Sequence, residues 1–395
     1  MPEQSAASEN FSYWRYGEYF MEPNGPIGII TQQLQPSLAD NINRKLRERR
    51  KHYVTQYPDL EKNVGYLRQD YNIETDLSRF NTGEGWATLK ESVRGHDLYI
   101  ITDVINHGRY INRFNELVSV SPDEHYQDLV RLITATHGVC RRINVIMPYL
   151  YEGRRASRTS HESMDAALML RQLFHLGITN FITFDAHDGR VANAVPRHNF
   201  ENFSAAGQII RKVFQSYPDL DPDNLIIVSP NESSISRAIY YATNLHVPLG
   251  TFYRVFNANG STTMNYLGDS VEGKDIWIVD DLLDTSNTII ESASYLKKAG
   301  AKCVFASLTF VQFTKGYEKM HQAYDFGIID KVFATNLSYL SRPLSDMPWF
   351  ESVDMSAKIA TIIDTLNHNA SLSKLLSQEN QIEQIVQERR VQLKK

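Results

Sequence analysis

The segment Asp275–Thr288, DIWIVDDLLDTSNT, gathers acids and hydroxyls whose spacing suits chemistry. An apolar run, Ile276–Val279, reads as a buried strand closed by Asp280 and Asp281, which places two carboxylates at the carboxyl end of a strand, where open α/β sheets bind ligands. Two successive acids at that position need a ligand or solvent to stay charged. The loop Asp284–Thr288 then offers backbone N–H groups and the hydroxyls of Thr285, Ser286 and Thr288 at the start of a helix, a cradle for phosphate. Acids and phosphate coexist if the acids meet sugar hydroxyls or Mg²⁺. The plainer reading is a strand followed by a capped helix, with Asp284 or Thr285 as the cap. His187, just after the strand FITFD and flanked by Asp185 and Asp188, is a weaker signal, equally suited to an ordinary loop.

The elements that must position these residues alternate along the chain. Ile27–Thr31 reads as a strand and Leu38–Arg50 as a helix whose Arg and Lys residues form a solvated face; a buried strand follows at Asp97–Thr102. Asp123–Thr136 has Leu129, Leu132 and Ile133 on one side and acids in its first turn, a helix pattern. Strands at Ile143–Leu150, Phe181–Phe184, Leu225–Val228 and Ile276–Val279 then alternate with helices around Ala166–Phe174, Ala205–Phe214 and Ser234–Thr243. That order predicts an α/β fold of mainly parallel sheets flanked by helices on both faces. MPYLYEGRR and VDDLLDTSN each lead into a helix ended by a glycine, Gly177 or Gly300, and then into a buried strand. The chain therefore reads as two similar α/β domains, 26–200 and 201–350, after an N-terminal arm, 1–25. A C-terminal helix and polar tail, 351–395, has Ile359, Ile362, Ile363 and Leu366 at helical spacing and ends in a surface or frayed helix, QENQIEQIVQERRVQLKK.

Composition sets the outer limits. A 395-residue chain with 42% hydrophobic and 22% charged residues is that of a soluble globular protein with a sizeable core. Its 41 Lys and Arg against 46 Asp and Glu exclude the bulk basic field that would hold nucleic acid or an anionic membrane. No run of 18 apolar residues is long enough to span a bilayer, and Met1–Gly25 lacks the apolar core of a secretory signal. The two cysteines, Cys140 and Cys303, read as buried small hydrophobes in a reducing cytoplasm.

The run VDDLLDTSNT resembles the ribose-5-phosphate loop of the ribose-phosphate diphosphokinases, also called phosphoribosyl pyrophosphate synthetases, whose common form is VDDMxDTxGT. Type I phosphoribosyltransferases share that loop, but the likeness extends further. FNTGEGWATLKESVRGHDLYIIT, INVIMPYLYEGRR, FITFDAHDGRVANAV, VSPNESSISRA and NYLGDSVEGKDIWIVDD follow the family's segments in order, from about Gly28 to Asp330. Length and the N-terminal extension are similar to a long, divergent bacterial form. The resemblance implies two phosphoribosyltransferase-like domains, the first binding ATP and the second ribose 5-phosphate. It implies transfer of the diphosphoryl group of Mg-ATP to ribose 5-phosphate, with AMP released, in nucleotide biosynthesis. In family terms Phe80, Thr82, Glu84 and Arg154 line the ATP site, with Phe80 on adenine and Arg154 on phosphate oxygens. His187 contacts Mg²⁺ or phosphate, Asn231, Glu232, Ser233 and Ser234 form the pyrophosphate loop, and Asp280, Asp281, Asp284, Thr285, Ser286, Asn287 and Thr288 hold ribose 5-phosphate. The family also implies a cytoplasmic homo-oligomer, dimers grouped into hexamers.

Several positions depart from the pattern. Thr82 stands where the family has Asn, Asn231 replaces the carboxylate that supports Mg²⁺, Ser233 replaces a glycine that lets the backbone approach pyrophosphate, and Asn287 replaces a loop glycine. Arg254 is the sole Lys or Arg between Arg237 and Lys274, so it takes the place of the family's catalytic Lys and remains the local cation for the transition state. These departures keep two alternatives open: a catalytically impaired regulatory paralogue that assembles with an active partner, and a diphosphokinase acting on another phosphorylated ribose.

Overall fold

In the computed structural model, which describes residues 15–16, 19–20, 22–31, 34–155, 161–256 and 262–393, the chain forms two units. The first runs through Phe203 and takes up Met355–Leu376; the second holds Ser204–Asp354 and resumes at Ser377. Most of the expected N-terminal arm lies outside the described residues. Among the described residues no helix is long and apolar enough to cross a membrane.

The sheet of the first unit has five parallel strands, β1 (Ile27–Ile30), β4 (Asp97–Ile101), β7 (Arg142–Ile146), β8 (Asn180–Phe184) and β9 (Asn199–Phe203), lying side by side in chain order. Between β1 and β4 come helix α1 (Pro36–Gln56) and a hairpin, β2 (Thr75–Arg79) with β3 (Gly85–Leu89); a second hairpin, β5 (Tyr110–Arg113) with β6 (Glu116–Ser119), follows β4. One face of the sheet, with Leu98, Ile100, Val145 and Phe181, packs on Leu129 and Leu132 of α2 (Pro122–Ala135) and Met169 and Leu173 of α3 (Asp165–His175). A capping box between Ser121 and Glu124 starts α2, and Gly177, at a φ of 94°, ends α3 as its sequence predicts.

The opposite face is closed by the helix Ser356–Asn367 through buried polar groups. Asn367 donates to Asp97 at 2.9 Å, and Asp97 takes a bidentate pair from Arg142 at 2.9 and 2.7 Å. The basic run of α1, expected to be a solvated face, is only partly so. Arg50 is wholly buried, donating to Asp364 at 3.0 Å and lying 4.2 Å over the Tyr66 ring, because Asp364 supplies the counter-charge that sequence proximity does not reveal. Both cysteines are half-buried rather than buried: Cys140 lies in the loop before β7, and Cys303 is the first residue of the strand Cys303–Val311.

The second unit holds seven strands in the order β12-β11-β10-β13-β14-β15-β16: β10 (Leu225–Ser229), β11 (Leu249–Phe256), β12 (Thr262–Leu267), β13 (Asp275–Leu283), β14 (Cys303–Val311), β15 (Lys331–Thr335) and β16 (Phe350–Val353). All pairs are parallel except β11 with β12. From β10 the chain first builds outward to β11 and β12, then returns to β13 on β10's other side, so the strand order reverses between β10 and β13. Such a reversal opens a crevice at the carboxyl ends of the strands. Strand β13 runs farther than its apolar run suggests: Asp280 and Asp281 lie inside it, because β14 is equally long and keeps pairing through Leu283 and Val311, whereas pairing with β10 stops at Val228 and Ile278. The polar tail is the expected helix, but one side of it is buried. Ile382 and Val386 of the helix Glu379–Leu393 are fully buried, and Arg389 donates to the carbonyls of Phe214, in α4 (Ala206–Ser216), and Pro218.

Candidate functional site

At the reversal point, β10 delivers Ser229 to the loop Pro230–Ser234, which turns into α5 (Ile235–Leu245). Asn231 organises this loop: its Oδ1 accepts from Ser233 Oγ at 2.6 Å and from Ser234 N–H at 3.0 Å, while Ser229 Oγ donates to the Asn231 carbonyl at 2.6 Å. Glu232 and Ser233 are exposed. Helix α5 opens with no side-chain cap and no acid in its first turn, so its amides remain available to an anion. Buried Ser234 also donates to Asp280 Oδ1, which accepts the Asp281 N–H at 2.9 Å as well. One hydroxyl thus joins the loop after β10 to the acids of β13.

Asp280 and Asp281 are both buried. Burial, reinforced by the charge of Asp281, pushes the Asp280 carboxyl from 3.8 up to about 7, although the Ser234 hydroxyl and the Asp281 amide pull the other way. A pair of carboxylates held this close is poised to take hydroxyl donors or positive charge. The loop beyond them closes on Ser286, whose backbone is left-handed at a φ of 65°, and leads directly into α6 (Asn287–Lys298), again without a side-chain cap. Ser286 is 3% exposed, and its Oγ has no hydrogen-bond partner among the described residues. Thr285 and Thr288 are half-buried on either side of it. Two neighbours from beyond β14 steady the loop: Thr314 Oγ1 donates to Asp284, and Lys319 Nζ, on α7 (Glu318–Asp325), donates to Asn287 Oδ1 at 3.2 Å.

Arg254 belongs to the part of β11 that outruns β10 and continues as a hairpin with β12. It lies on the α6 side, with Phe252 packed edge-on against Tyr295 at 5.4 Å, and its guanidinium pairs with Glu291 of α6 at 3.0 Å. Both partners of this pair are about half exposed.

The remaining residues lie in the first unit. Phe80, Thr82 and Glu84 share the tight turn between β2 and β3, closed by Phe80 N–H to Glu84 O and Gly83 N–H to Phe80 O, each 2.8 Å, with Gly83 at a φ of 96°. Thr82 Oγ1 donates to Glu84 Oε2 at 3.2 Å, and Phe80, 58% exposed, rests on Trp86 at 4.7 Å. The hairpin β5–β6, too short to stand out in the sequence, binds this turn at its tip through Phe114 N–H to Asn81 O at 2.9 Å. Arg154 is exposed in the loop after β7, bonded to Tyr149 Oη at 2.9 Å, and exposed His187 follows β8. As β7 and β8 are parallel neighbours, these two loops leave the same, carboxyl end of the sheet. Beside His187, Arg190 clasps Asp188 and holds its carboxyl below the usual range. Among the described residues no three His, Cys, Asp or Glu side chains converge on a metal position.

Comparison with known proteins follows the same two-part layout. The N-terminal domain of ribose phosphate pyrophosphokinase matches residues 27–177, and the phosphoribosyl transferase domain matches residues 198–342. The chain is 28% identical over 305 residues to a ribose-phosphate pyrophosphokinase of Wolinella succinogenes, covering 76% of this chain and 89% of that one. It is 27% identical over 336 residues to the corresponding enzyme of Chromobacterium violaceum, covering 82% and 94%. A crystal structure of phosphoribosylpyrophosphate synthetase from Mycobacterium smegmatis superposes with a TM-score of 0.68 at 18% identity, over 87% of this chain and 99% of that chain, which shows a shared fold. With both domains matched in order and the relatives covered nearly end to end, the chain belongs to the ribose-phosphate pyrophosphokinase family.

Proposed function

We propose that this protein transfers the β,γ-diphosphoryl group of Mg-ATP to the anomeric hydroxyl of ribose 5-phosphate. The hydroxyl oxygen bonds to the β-phosphorus, the bond from that phosphorus to the α-phosphate oxygen breaks, AMP leaves, and the hydroxyl proton passes to solvent or a nearby base. The observation that carries this reading is the pair of uncapped helix starts, α5 and α6, at the strand reversal of one sheet, joined by the Ser234–Asp280 hydrogen bond. Two anion cradles flanking a carboxylate pair suit a sugar that carries one phosphate and receives two more. In this reading Thr285, Ser286 and Thr288, with the amides of α6, hold the 5-phosphate, Asp280 and Asp281 accept sugar hydroxyls, and Ser233 and Ser234 face the diphosphate.

Arg254 supplies positive charge to the transferred group, the charge-neutralising role on which such transfers depend. Phe80 stacks on adenine, with Thr82 and Glu84 as its polar neighbours, and Arg154 meets phosphate oxygens. Magnesium would enter with the nucleotide, bringing phosphate and water ligands. Exposed His187 is the proposed contact for it, and Asn231, its amide oxygen turned into its own loop, shapes that loop. The proposal includes a cytoplasmic homo-oligomer. A second reading, a regulatory paralogue with impaired chemistry, is favoured by the Arg254–Glu291 ion pair, which occupies the local cation. AMP release from Mg-ATP by the purified protein, with and without ribose 5-phosphate, decides between them. Ribose-dependent AMP at an ordinary enzymatic rate supports the synthetase; binding of both ligands with no ribose-dependent AMP supports the paralogue.

A further inference from the structure

The loop Asp284–Thr288 has an unusual electrical setting. It opens α6 without a side-chain cap and buries a Ser286 hydroxyl that has no partner among the described residues, so its unsatisfied donors call for an anion. A positive side chain should avoid such a place. Yet Lys319 brings its ammonium to Asn287, the first residue of α6, at 3.2 Å. Lys319 also lies in the first turn of its own helix, where the backbone dipole disfavours a cation. Its partner is a neutral amide oxygen, and no carboxylate reaches it within ion-pair distance among the described residues. Elsewhere in the same unit Lys297 pairs with Asp330 at 2.9 Å, Lys302 with Asp275 at 3.3 Å and Lys331 with Glu351 at 3.1 Å. An ammonium set between two helix N-termini and bonded only to an amide is stabilised when an anion arrives.

We propose that Lys319 binds the phosphate monoester of a ligand seated on the Asp284–Thr288 loop and sets the preference for a phosphorylated over an unphosphorylated sugar. The assignment rests on the sugar-phosphate reading given above. Asn287, which stands where related loops carry glycine, gains a purpose in it: the amide oxygen parks the ammonium at the mouth of the cradle until the phosphate displaces it. Lys319 is exposed on a helix surface, so its replacement leaves packing untouched.

The test is calorimetric titration of the full chain with ribose 5-phosphate, ribose and Mg-ATP, for the wild type, Lys319→Gln and Lys319→Arg. Loss of one charge-assisted contact to a dianion should weaken ribose 5-phosphate binding by on the order of 10- to 100-fold in Lys319→Gln, with partial recovery in Lys319→Arg. Mg-ATP affinity should be unchanged, and the wild-type preference over ribose should shrink by the same factor. If the wild type binds ribose 5-phosphate and Lys319→Gln binds it equally well, the role of Lys319 is overturned while the sugar-phosphate reading stands. Should the wild type bind no ribose 5-phosphate, the reading itself fails and the assignment falls with it.

Discussion

Asparagine at position 280 should make the protein more stable and less able to bind its ligand. Holding a carboxyl at about 7 instead of 3.8 corresponds to roughly 4 kcal/mol of native-state penalty on the charged form. Because the native state holds this proton more tightly than the unfolded chain, the penalty from Asp280 is absent below pH 4, grows as the pH rises from about 4 to about 7, and is full above that. Asp280→Asn removes the charge and keeps an oxygen at Oδ1 to accept from Ser234 and from the Asp281 amide. At pH 8 the variant should exceed the wild type by about 2–4 kcal/mol, and the difference should shrink by roughly 2–3 kcal/mol at pH 5. Urea unfolding followed by tryptophan fluorescence suits the question, since Trp277 and Trp349 are wholly buried in the second unit. A variant no more stable than the wild type at pH 8, or a difference that ignores pH, would refute the argument. The same variant should lose affinity for ribose 5-phosphate, which separates a carboxylate kept for a ligand from one kept for the fold.

Other perturbations probe the rest of the molecule. Arg254→Ala should lower ribose-dependent AMP release by on the order of 10²- to 10³-fold, whereas Glu291→Gln should raise it no more than about fivefold, because a half-exposed ion pair is worth under about 1 kcal/mol. An Arg254→Ala enzyme as fast as the wild type would remove that residue from the chemistry. Asp364→Asn withdraws the partner of both Arg49, at 2.8 Å, and wholly buried Arg50; thermal unfolding should show a loss of about 3–5 kcal/mol, and a loss below about 1 kcal/mol would contradict the buried pairing. Burial lowers the Lys358 ammonium to about 8, so the wild type should gain stability as pH rises from about 8 to about 10.5, and Lys358→Met should be the more stable protein at pH 7 by about 1–3 kcal/mol, with the advantage fading at high pH.

The alternation of apolar strands and amphipathic helices was legible because each central strand is buried on both faces and reads as an unbroken apolar run. Gly177 and Gly300 marked helix ends for a local reason, their positive φ. The loop Asp284–Thr288 and the helix after it were legible for the same kind of reason, since acids, hydroxyls and a helix start are neighbours in sequence. What escaped was set by distant partners. The extension of β13 past Asp281 depends on the length of β14, and the burial of Arg50 depends on a carboxylate 314 residues away. The hairpins β2–β3 and β5–β6 are short and half exposed, so their alternation is too brief to stand out, even though one of them carries Phe80, Thr82 and Glu84. The Ser234–Asp280 bond, which turns two motifs into one site, joins segments 46 residues apart and follows only from the strand order.

The helix Ser356–Asn367 completes a sheet whose strands all lie before residue 204. During synthesis the ribosome must therefore deliver the whole of Ser204–Asp354 before the first sheet receives its last cover. At roughly 5–20 residues per second, that segment alone takes about 8 to 30 seconds, during which Arg50, Asp97 and Arg142 wait for the partners that the late helix brings. The domain made first stays unfinished until most of the second has been made. A nascent chain arrested before residue 355 would hold all seven strands of the second sheet but leave Arg50 without Asp364 and Asp97 without Asn367, exposing to chaperones and proteases the surface that the late helix seals.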